Sequence, residues 1–485
     1  MNSPEAVTTT AVAPPELMSR LHRTKMTVDG IGGLQPSHEQ DPLILHADEW
    51  SMAIAGLKTA SGSFVSRVVD QTPSAAARLY GGADLGYSHF IKAALTHRDL
   101  GRKKTAIIAD DAAMSMVDRA LGSENPEIPM YCTGFPMKVY NPLETHYGGD
   151  EIDLGDVSVL LRFAELAKAL NHFGKDNHKE FVVKIVSDGI MNNGMFMADA
   201  DVCRSYVRKL QALSEQLGIA ELVHVVEFFG LLDENAPIKS AYEAQVAETK
   251  AKFHHQFDGL LGTDHLKKSI AAAVECEKQL NGTTAFEDIF NSTVGSTRYR
   301  GIEQLTADFG LFLPEVYAMI LESVLWERDV KTTRVYAEAA QTVPPESMRA
   351  FDAALHEAID STLKQAWRGT VDYLAVMHTS SQLNVLDQLH PNGIRLTTRP
   401  KTGQIGVHTS DQTNPSLFSY HSVPVVRPTN RGRNVKIDFE LLVNAVRKSC
   451  RAVQSEDGNV LFYLHPEIDI LQHDITKLPW LRGSK

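Results

Sequence analysis

One segment constrains the fold of this chain more than any other: between residues 105 and 229, short apolar runs alternate with amphipathic stretches. The stretches at 158–173 and 202–217 repeat apolar side chains every three or four residues, as helices with one buried face do. Strands that alternate with helices build a parallel sheet with crossover helices. The segment therefore predicts a Rossmann-like layer with strands at Thr105–Ala109, Ile128–Thr133, Phe181–Val186 and Leu222–Phe229.

The rest of the chain is expected to flank this layer. Residues 1–45, rich in Thr, Ala, Pro and Gly, indicate a mobile arm, and 46–235 combine covering helices with the Rossmann-like core. Residues 236–390 form a helical segment whose longest apolar stripe runs from Met348 to Leu374. In 391–485, strand-like runs and one helix at Asp438–Val453 predict an antiparallel β element that closes the site. The predicted fold class is α/β, mostly parallel, with a helical and antiparallel C-terminal portion.

Composition excludes several classes of protein. Among 485 residues, 48 Lys and Arg face 60 Asp and Glu, which gives a net charge of −12 and argues against a nucleic-acid partner. Nowhere do about 18 apolar residues follow one another, as a membrane helix requires, so no membrane partner is expected. The four cysteines, Cys132, Cys203, Cys276 and Cys450, are widely spaced and indicate neither zinc nor disulfides. A cytoplasmic location fits this pattern best.

Common cofactor motifs are missing from the sequence. It has no GxxxxGK[ST], GxGxxG, HExxH or GxSxG pattern, which disfavours nucleotide, zinc and serine-hydrolase chemistry. What remains are polar residues that follow predicted parallel strands. Open α/β sheets bind their ligands at the carboxyl ends of such strands. These positions are therefore the candidates for a site.

Two candidates follow predicted strands directly. Ser187-Asp188-Gly189 offers a hydroxyl and a carboxylate for a sugar hydroxyl or an amine, although the same residues also form ordinary turns. Lys138, in Phe135-Pro136-Met137-Lys138, could pair with phosphate or, if burial lowers its pKa, act as an amine. The alternative for Lys138 is a solvated surface lysine.

A third candidate is a set of cations in the C-terminal strands. Arg395, Thr397 and Arg399 alternate and so share one strand face, which suits a phosphate or carboxylate. An ordinary polar face of a half-exposed strand is equally compatible with the pattern. The full set is Arg395, Arg399, Lys401, His408 and His421, with Arg298 and Arg300 from the middle segment.

Two acidic clusters are weaker candidates. Asp150, Glu151, Asp153 and Asp156 precede a predicted helix, where the helix dipole favours acids, and they are expected to form a solvated loop. His465, Glu467, Asp469 and His473 have no regular ligand spacing, so no metal site is predicted.

Several short motifs occur in an order that resembles the pyoverdine/dityrosine biosynthesis family, which comprises isonitrile synthases and N-formyl-tyrosine synthase relatives. Each motif is short, and their shared order carries the resemblance. The motifs are Phe135 to Lys138, Leu154 to Val157, Val182 to Gly189, Tyr206, Tyr299 to Asp308, Ile394 to Pro400 and Tyr420 to Ser422.

The resemblance implies a reaction without metal or other cofactor. In it, the amine of an amino acid condenses with the ketone of ribulose 5-phosphate, whose C2 becomes the isonitrile carbon. Such chemistry needs a phosphate clamp and groups that move protons. We expect Lys138, Asp188 and His421 to be catalytic, and Ser187, Arg300, Arg395, Arg399 and Lys401 to bind substrate and phosphate.

Four departures from the family pattern bear on the product. Glu144 lies near the position of a second lysine, the stretch with Asn193 replaces a hydrophobic-Phe-Ser-Asp run, Arg399 replaces a histidine and Tyr420 a tryptophan. One alternative is an enzyme that makes an N-formyl or other one-carbon-modified amino acid. Another is a non-catalytic module that binds a sugar phosphate or metabolite.

Overall fold

The computed structural model shows two five-stranded sheets with helices between and around them. It describes residues 42–82, 85–101, 110–138, 149–191, 200–257, 368–369, 371–373, 375–376, 378–380, 382–397, 403–408, 419–429, 434–440, 442, 445, 448–468 and 475–482.

The first sheet is parallel throughout and has the order β4-β3-β2-β5-β6. Its central strands are rich in β-branched and apolar residues, as strands covered on both faces are. One face packs in the main core, and the other packs against helices that follow β4. The strands are β2 Glu127–Thr133, β3 Glu180–Ser187, β4 Val223–Glu227, β5 Ile394–Thr397 and β6 Ile405–Gly406.

The helix Ala200–Leu217 confirms the predicted single buried face, whereas the helix Leu154–Gly174 is buried on nearly all sides. The two crossover helices are longer than predicted at their amino ends, and three of the described helices lie ahead of the parallel sheet in the sequence. The helices are α1 Ala47–Tyr80, α2 Tyr87–Leu95, α3 Asp111–Gly122, α4 Leu154–Gly174, α5 Ala200–Leu217, α6 Phe228–Asp233, α7 Ala236–Phe257 and α8 Val385–Leu389.

The second sheet is mixed, with the order β1-β9-β10-β7-β8. Its pairs β1/β9 and β7/β10 are parallel, whereas β9/β10 and β7/β8 are antiparallel. Helix α4 lies between the two sheets and also packs against α1 and α2, which explains why almost all of its residues are buried. The strands are β1 Leu43–Leu45, β7 Val423–Pro428, β8 Val435–Glu440, β9 Arg451–Ser455 and β10 Val460–Leu464.

Two expectations for the C-terminal portion differ from the structure. Strands β5 and β6 were expected in the antiparallel element, but they extend the parallel sheet beyond β2. The helix expected at Asp438–Val453 is helical at Leu442 and Ala445, but its two ends belong to strands β8 and β9. Val435, Ile437 and Phe439 alternate on the buried face of β8, so the period-two pattern and pairing with β7 prevail over helical spacing.

Other expectations fall on residues outside the described part. These are the arm to residue 41, the strand at 105–109 and most of the apolar stripe at 348–374. Within the described residues, no helix is both long and apolar enough to cross a membrane. Cys132, Cys203 and Cys450 are free thiols.

Candidate active site

Three motifs that lie far apart in the sequence meet at the carboxyl edge of the parallel sheet. The loop after β2 contacts the tip of β3, because Ser187 Oγ donates to the carbonyl of Phe135 over 2.9 Å. The same loop contacts a C-terminal turn, because Lys138 Nζ donates to the carbonyl of Ser419 over 2.8 Å. Folding thus assembles one site from residues separated by 52 and 281 positions.

Close backbone packing holds the first two segments together. The Gly134 amide donates to the carbonyl of Val186 over 3.1 Å, which continues the pairing beyond β2. A Cβ at Gly189 would lie 2.2 Å from the carbonyl oxygen of Pro136, so only glycine fits there without a shift. Phe135 adopts a positive φ of 60°, which is uncommon for a bulky residue and marks a constrained turn. The loop after β2 is therefore set in place by the Ser-Asp-Gly segment.

Lys138 is not a solvated lysine. Its side chain is 3% exposed, and its ammonium lies 2.9 Å from Asp153 Oδ2 and 3.2 Å from Asp156 Oδ2. Burial by itself would lower the pKa of Lys138, but the Asp153 and Asp156 carboxylates outweigh that effect and raise it. The expected route to a reactive amine, a pKa lowered by burial, is therefore wrong, and Lys138 stays charged.

The two aspartates belong to the start of α4. Asp153 caps the helix by accepting from the amides of Gly155 and Asp156, and Asp156 accepts in return from the Asp153 amide. Asp156 Oδ1 also accepts from the hydroxyl of the buried Tyr206, over 2.7 Å. Burial raises the pKa of Asp153 to about 7, helped by Asp156 and opposed by Lys138. The solvated loop expected for these two acids is wrong: they form a buried charged cluster.

Asp188 and Arg395 lie on opposite sides of β2. Asp188 is half-buried and follows β3, while Arg395 on β5 is in register with Tyr131 on β2. Both act on the Cys132 thiol: burial raises its pKa to about 12, the Asp188 carboxylate adds to this and the Arg395 guanidinium opposes it. A carboxylate and a guanidinium therefore flank the carboxyl half of the central strand, which suits a substrate that carries both an amine and an anion.

The turn before β7 contains two of the predicted motif residues, Tyr420 and His421. Ser419, Tyr420 and His421 form a 3₁₀ turn directly before β7. The Tyr420 ring packs edge-on against Phe135, with 5.9 Å between centroids, and its hydroxyl lies 3.8 Å from a Cβ built on Gly134. The backbone of His421 is thereby placed beside the loop after β2.

The remaining predicted residues are only partly described. Arg300, Arg399 and Lys401 lie outside the described residues, as do Glu144 and Asn193. Of the possible metal group, His465 lies 3.8 Å from Glu467, and Asp469 and His473 are outside the described part. The part of the chain that is described holds no group of three or more His, Cys, Asp or Glu arranged to bind a metal ion.

Sequence reasoning missed the role of Asp153, Asp156 and Tyr206 as partners of Lys138. One signal was available: Asp153-Leu-Gly-Asp156 has the spacing of a capping box, which predicts an ordered helix start rather than a loose acidic loop. Sequence reasoning also did not include Glu227 among the polar residues at the carboxyl ends of the parallel strands. It ends β4 in register with Ser187, and burial raises its pKa.

Comparisons with known proteins found a family and a solved structure to which the chain is similar. The sequence model of a family described as pyoverdine/dityrosine biosynthesis protein matches residues 117–293. A crystal structure of the PvcA protein from Pseudomonas aeruginosa is similar over 78% of this chain and 100% of that chain, with 15% sequence identity and a TM-score of 0.44. No curated protein sequence matches the chain. The resemblance to the pyoverdine/dityrosine biosynthesis family is thereby confirmed over residues 117–293.

Proposed function

We propose that the protein is an isonitrile-synthase-like enzyme of secondary metabolism, which condenses the amine of an amino acid with ribulose 5-phosphate to form an isocyano amino acid. The observation that carries this proposal is the convergence of three family-like motifs at one sheet edge, through Ser187 with Phe135 and Lys138 with Ser419. The family match over residues 117–293 supports it. A reducing cytoplasm, in which free thiols persist, suits such an enzyme.

Each proposed role follows from charge and position. Arg395, together with Arg300, Arg399 and Lys401, binds the phosphate, because guanidinium groups offer paired donors to anions. Asp188 accepts protons from the substrate amine at the tip of β3, and Ser187 fixes the loop beside it. His421 moves protons during imine formation and carbon–carbon cleavage. In this proposal the residues act without a metal, nucleotide or redox cofactor.

Isotope labelling tests the reaction. The protein is incubated with ribulose 5-phosphate carrying carbon-13 at C2, and with single amino acids in separate pools. We expect the carbon-13 atom to appear in one product, bonded to the nitrogen of the amino acid, and phosphate to be released. A formamide product, heavier than the isonitrile by one water, would instead support an N-formyl synthase. Thermal stabilisation by ribulose 5-phosphate without label transfer would reject the catalytic reading in favour of a binding module.

Two substitutions test the proposed roles. Arg395→Ala should weaken ribulose 5-phosphate binding by about 1.5 to 3 kcal/mol in titration calorimetry, the usual range for a charge-assisted hydrogen bond. His421→Ala should lower turnover by about 10² to 10⁴, the usual contribution of a general acid or base. Arg204→Ala is the matched control, since Arg204 is an exposed cation paired with Asp201. Unchanged affinity or turnover would remove the corresponding residue from the site.

A further inference from the structure

The buried cluster around Lys138 joins four segments of the chain. Lys138 ends the loop after β2, Asp153 and Asp156 begin α4, Tyr206 lies on α5, and Ser419 opens the turn before β7. The backbone of Lys138 is also fixed, because its N–H and C=O both pair with Gly149 over 2.9 Å. Within the cluster, the Lys138 side chain connects the Rossmann-like core to the C-terminal turn.

The ammonium of Lys138 has no spare donor for a substrate. An ammonium carries three N–H groups. Three acceptors surround it within 3.2 Å: the carbonyl of Ser419, Asp153 Oδ2 and Asp156 Oδ2. A lysine held in this way presents neither a free amine to a ketone nor an open donor to a phosphate.

The charges of the cluster favour a permanently charged lysine. Two carboxylates share one ammonium, and the hydroxyl of Tyr206 faces Asp156 from α5. Tyr206 also lies within electrostatic range of Asp153 and Tyr420. With an excess of negative groups around it, Lys138 is kept protonated, and its bond to the Ser419 carbonyl is a charge-assisted one.

We propose that Lys138, Asp153, Asp156 and Tyr206 are positioning residues, which fix the Ser419–His421 turn against the loop after β2 and so place His421 at the site. Lys138 in this view acts through the turn and not on the substrate. The catalytic consequence rests on the proposed function, whereas the structural consequence does not.

Hydrogen–deuterium exchange of the full chain tests the structural part. Lys138→Met removes all three bonds of the ammonium, so peptides that cover residues 419–423 should exchange faster than in the wild type. Lys209→Met is the control, because Lys209 pairs with Asp150 and Glu151 over 3.0 and 3.9 Å but is half-exposed and outside the cluster. Unchanged exchange at 419–423 in a folded Lys138→Met variant would overturn the proposal.

Lys138→Arg distinguishes a positioning role of Lys138 from a catalytic role in which its amine reacts with the substrate. A guanidinium keeps the positive charge and several donors, but it stays protonated and cannot act as a nucleophile. A positioning role predicts that Arg slows the exchange of 419–423 again and recovers kcat by about tenfold or more over the Met variant. If the turn is protected in the Arg variant while kcat stays as low as with Met, Lys138 is catalytic and the proposal fails.

Tyr206→Phe covers the case in which the lysine variants do not fold. It deletes one hydrogen bond to Asp156 and leaves every charge in place. We expect a smaller increase of exchange at 419–423, and a fall in kcat with little change in KM. Tyr242→Phe, a buried tyrosine of α7 whose hydroxyl meets Ser380, should leave that turn unaffected. Equal exchange at the turn in Tyr206→Phe and wild type would contradict the proposal, whether or not turnover is found.

Discussion

Helix α4 carries two buried ionic clusters of opposite composition. At its amino end, the carboxylates of Asp153 and Asp156 share the ammonium of Lys138. Within the helix, the guanidinium groups of Arg162 and Arg482 share the carboxylate of Glu165, over 3.0 and 2.9 Å. In these contacts the first cluster sets two acids against one cation and lies at the candidate site, and the second sets two cations against one acid and lies in the core.

The second cluster ties the C-terminal segment to α4. Arg482 also donates to the hydroxyl and the carbonyl of Ser158, over 2.8 and 3.0 Å, and its own carbonyl accepts from Arg67 over 2.6 Å. Arg162 lies 4.6 Å from the centroid of the Phe64 ring and donates to the carbonyl of Asp99. These contacts join α1, α4 and the segment after β10 into one core.

The difference between the clusters is their response to protons. A buried carboxylate can neutralise itself by taking up a proton, whereas an arginine remains charged under all ordinary conditions. The acidic cluster can therefore adjust when a partner is lost or the pH changes. The arginines cannot adjust in this way, so the stability of the second cluster depends more strongly on its carboxylate.

Glu165→Gln should produce the largest effect, because it removes the carboxylate that two buried guanidinium groups contact. The free energy of unfolding should fall by about 3 to 5 kcal/mol, as when one partner of a buried pair is removed. Chemical denaturation measures this. Glu215→Gln, an exposed glutamate on α5, is the control and should be nearly neutral. A loss below about 1 kcal/mol for Glu165→Gln would mean that the arginine cluster is no more dependent on its anion than an exposed pair.

Lys138→Met should destabilise less, because the aspartates that remain can take up a proton. We expect a loss of about 1 to 3 kcal/mol in the free energy of unfolding, the range for a buried polar group that loses its partner. The loss should grow from about pH 6 to about pH 8, because it costs more free energy to keep an aspartate protonated as the pH rises. A loss that equals that of Glu165→Gln at every pH would erase the distinction between the clusters.

The sequence predicted the parts of this arrangement that depend on local pattern. Strands β2, β3 and β4 and helices α4 and α5 follow from apolar periodicity, and so does the position of Asp188 directly after a strand. The partnership of Lys138 with Ser419 depends on contacts across 281 positions, which local pattern does not encode. Strand β8 was missed because its polar residues, Asp438 and Glu440, are buried in ion pairs with Arg427 from β7.

Gly189→Ala tests how much of the acidic cluster's surroundings is held by packing rather than charge. The new methyl group would meet the Pro136 carbonyl, so the free energy of unfolding should fall by about 1 to 3 kcal/mol, a typical cost of overpacking. Gly230→Ala in α6 is the matched control, since a Cβ there has nothing within 4 Å. It should be neutral or slightly stabilising. Equal changes in the free energy of unfolding for the two substitutions would show that the loop after β2 can shift to accommodate the methyl group without cost.

Asp153→Asn gives the sharpest test of the comparison. In the wild type the pKa of Asp153 rises from 3.8 to about 7 on folding, so between these values the native state binds more protons than the unfolded chain. The free energy of unfolding therefore falls as pH rises through this window. Asn keeps the helix cap and carries no proton to lose, so this variant should lack that decline and gain stability relative to the wild type from about pH 4 to about pH 7. Asp201→Asn, at an exposed aspartate, should follow the wild-type curve. Parallel stability curves for Asp153→Asn and wild type would mean that the acidic cluster is as insensitive to protons as the arginine cluster.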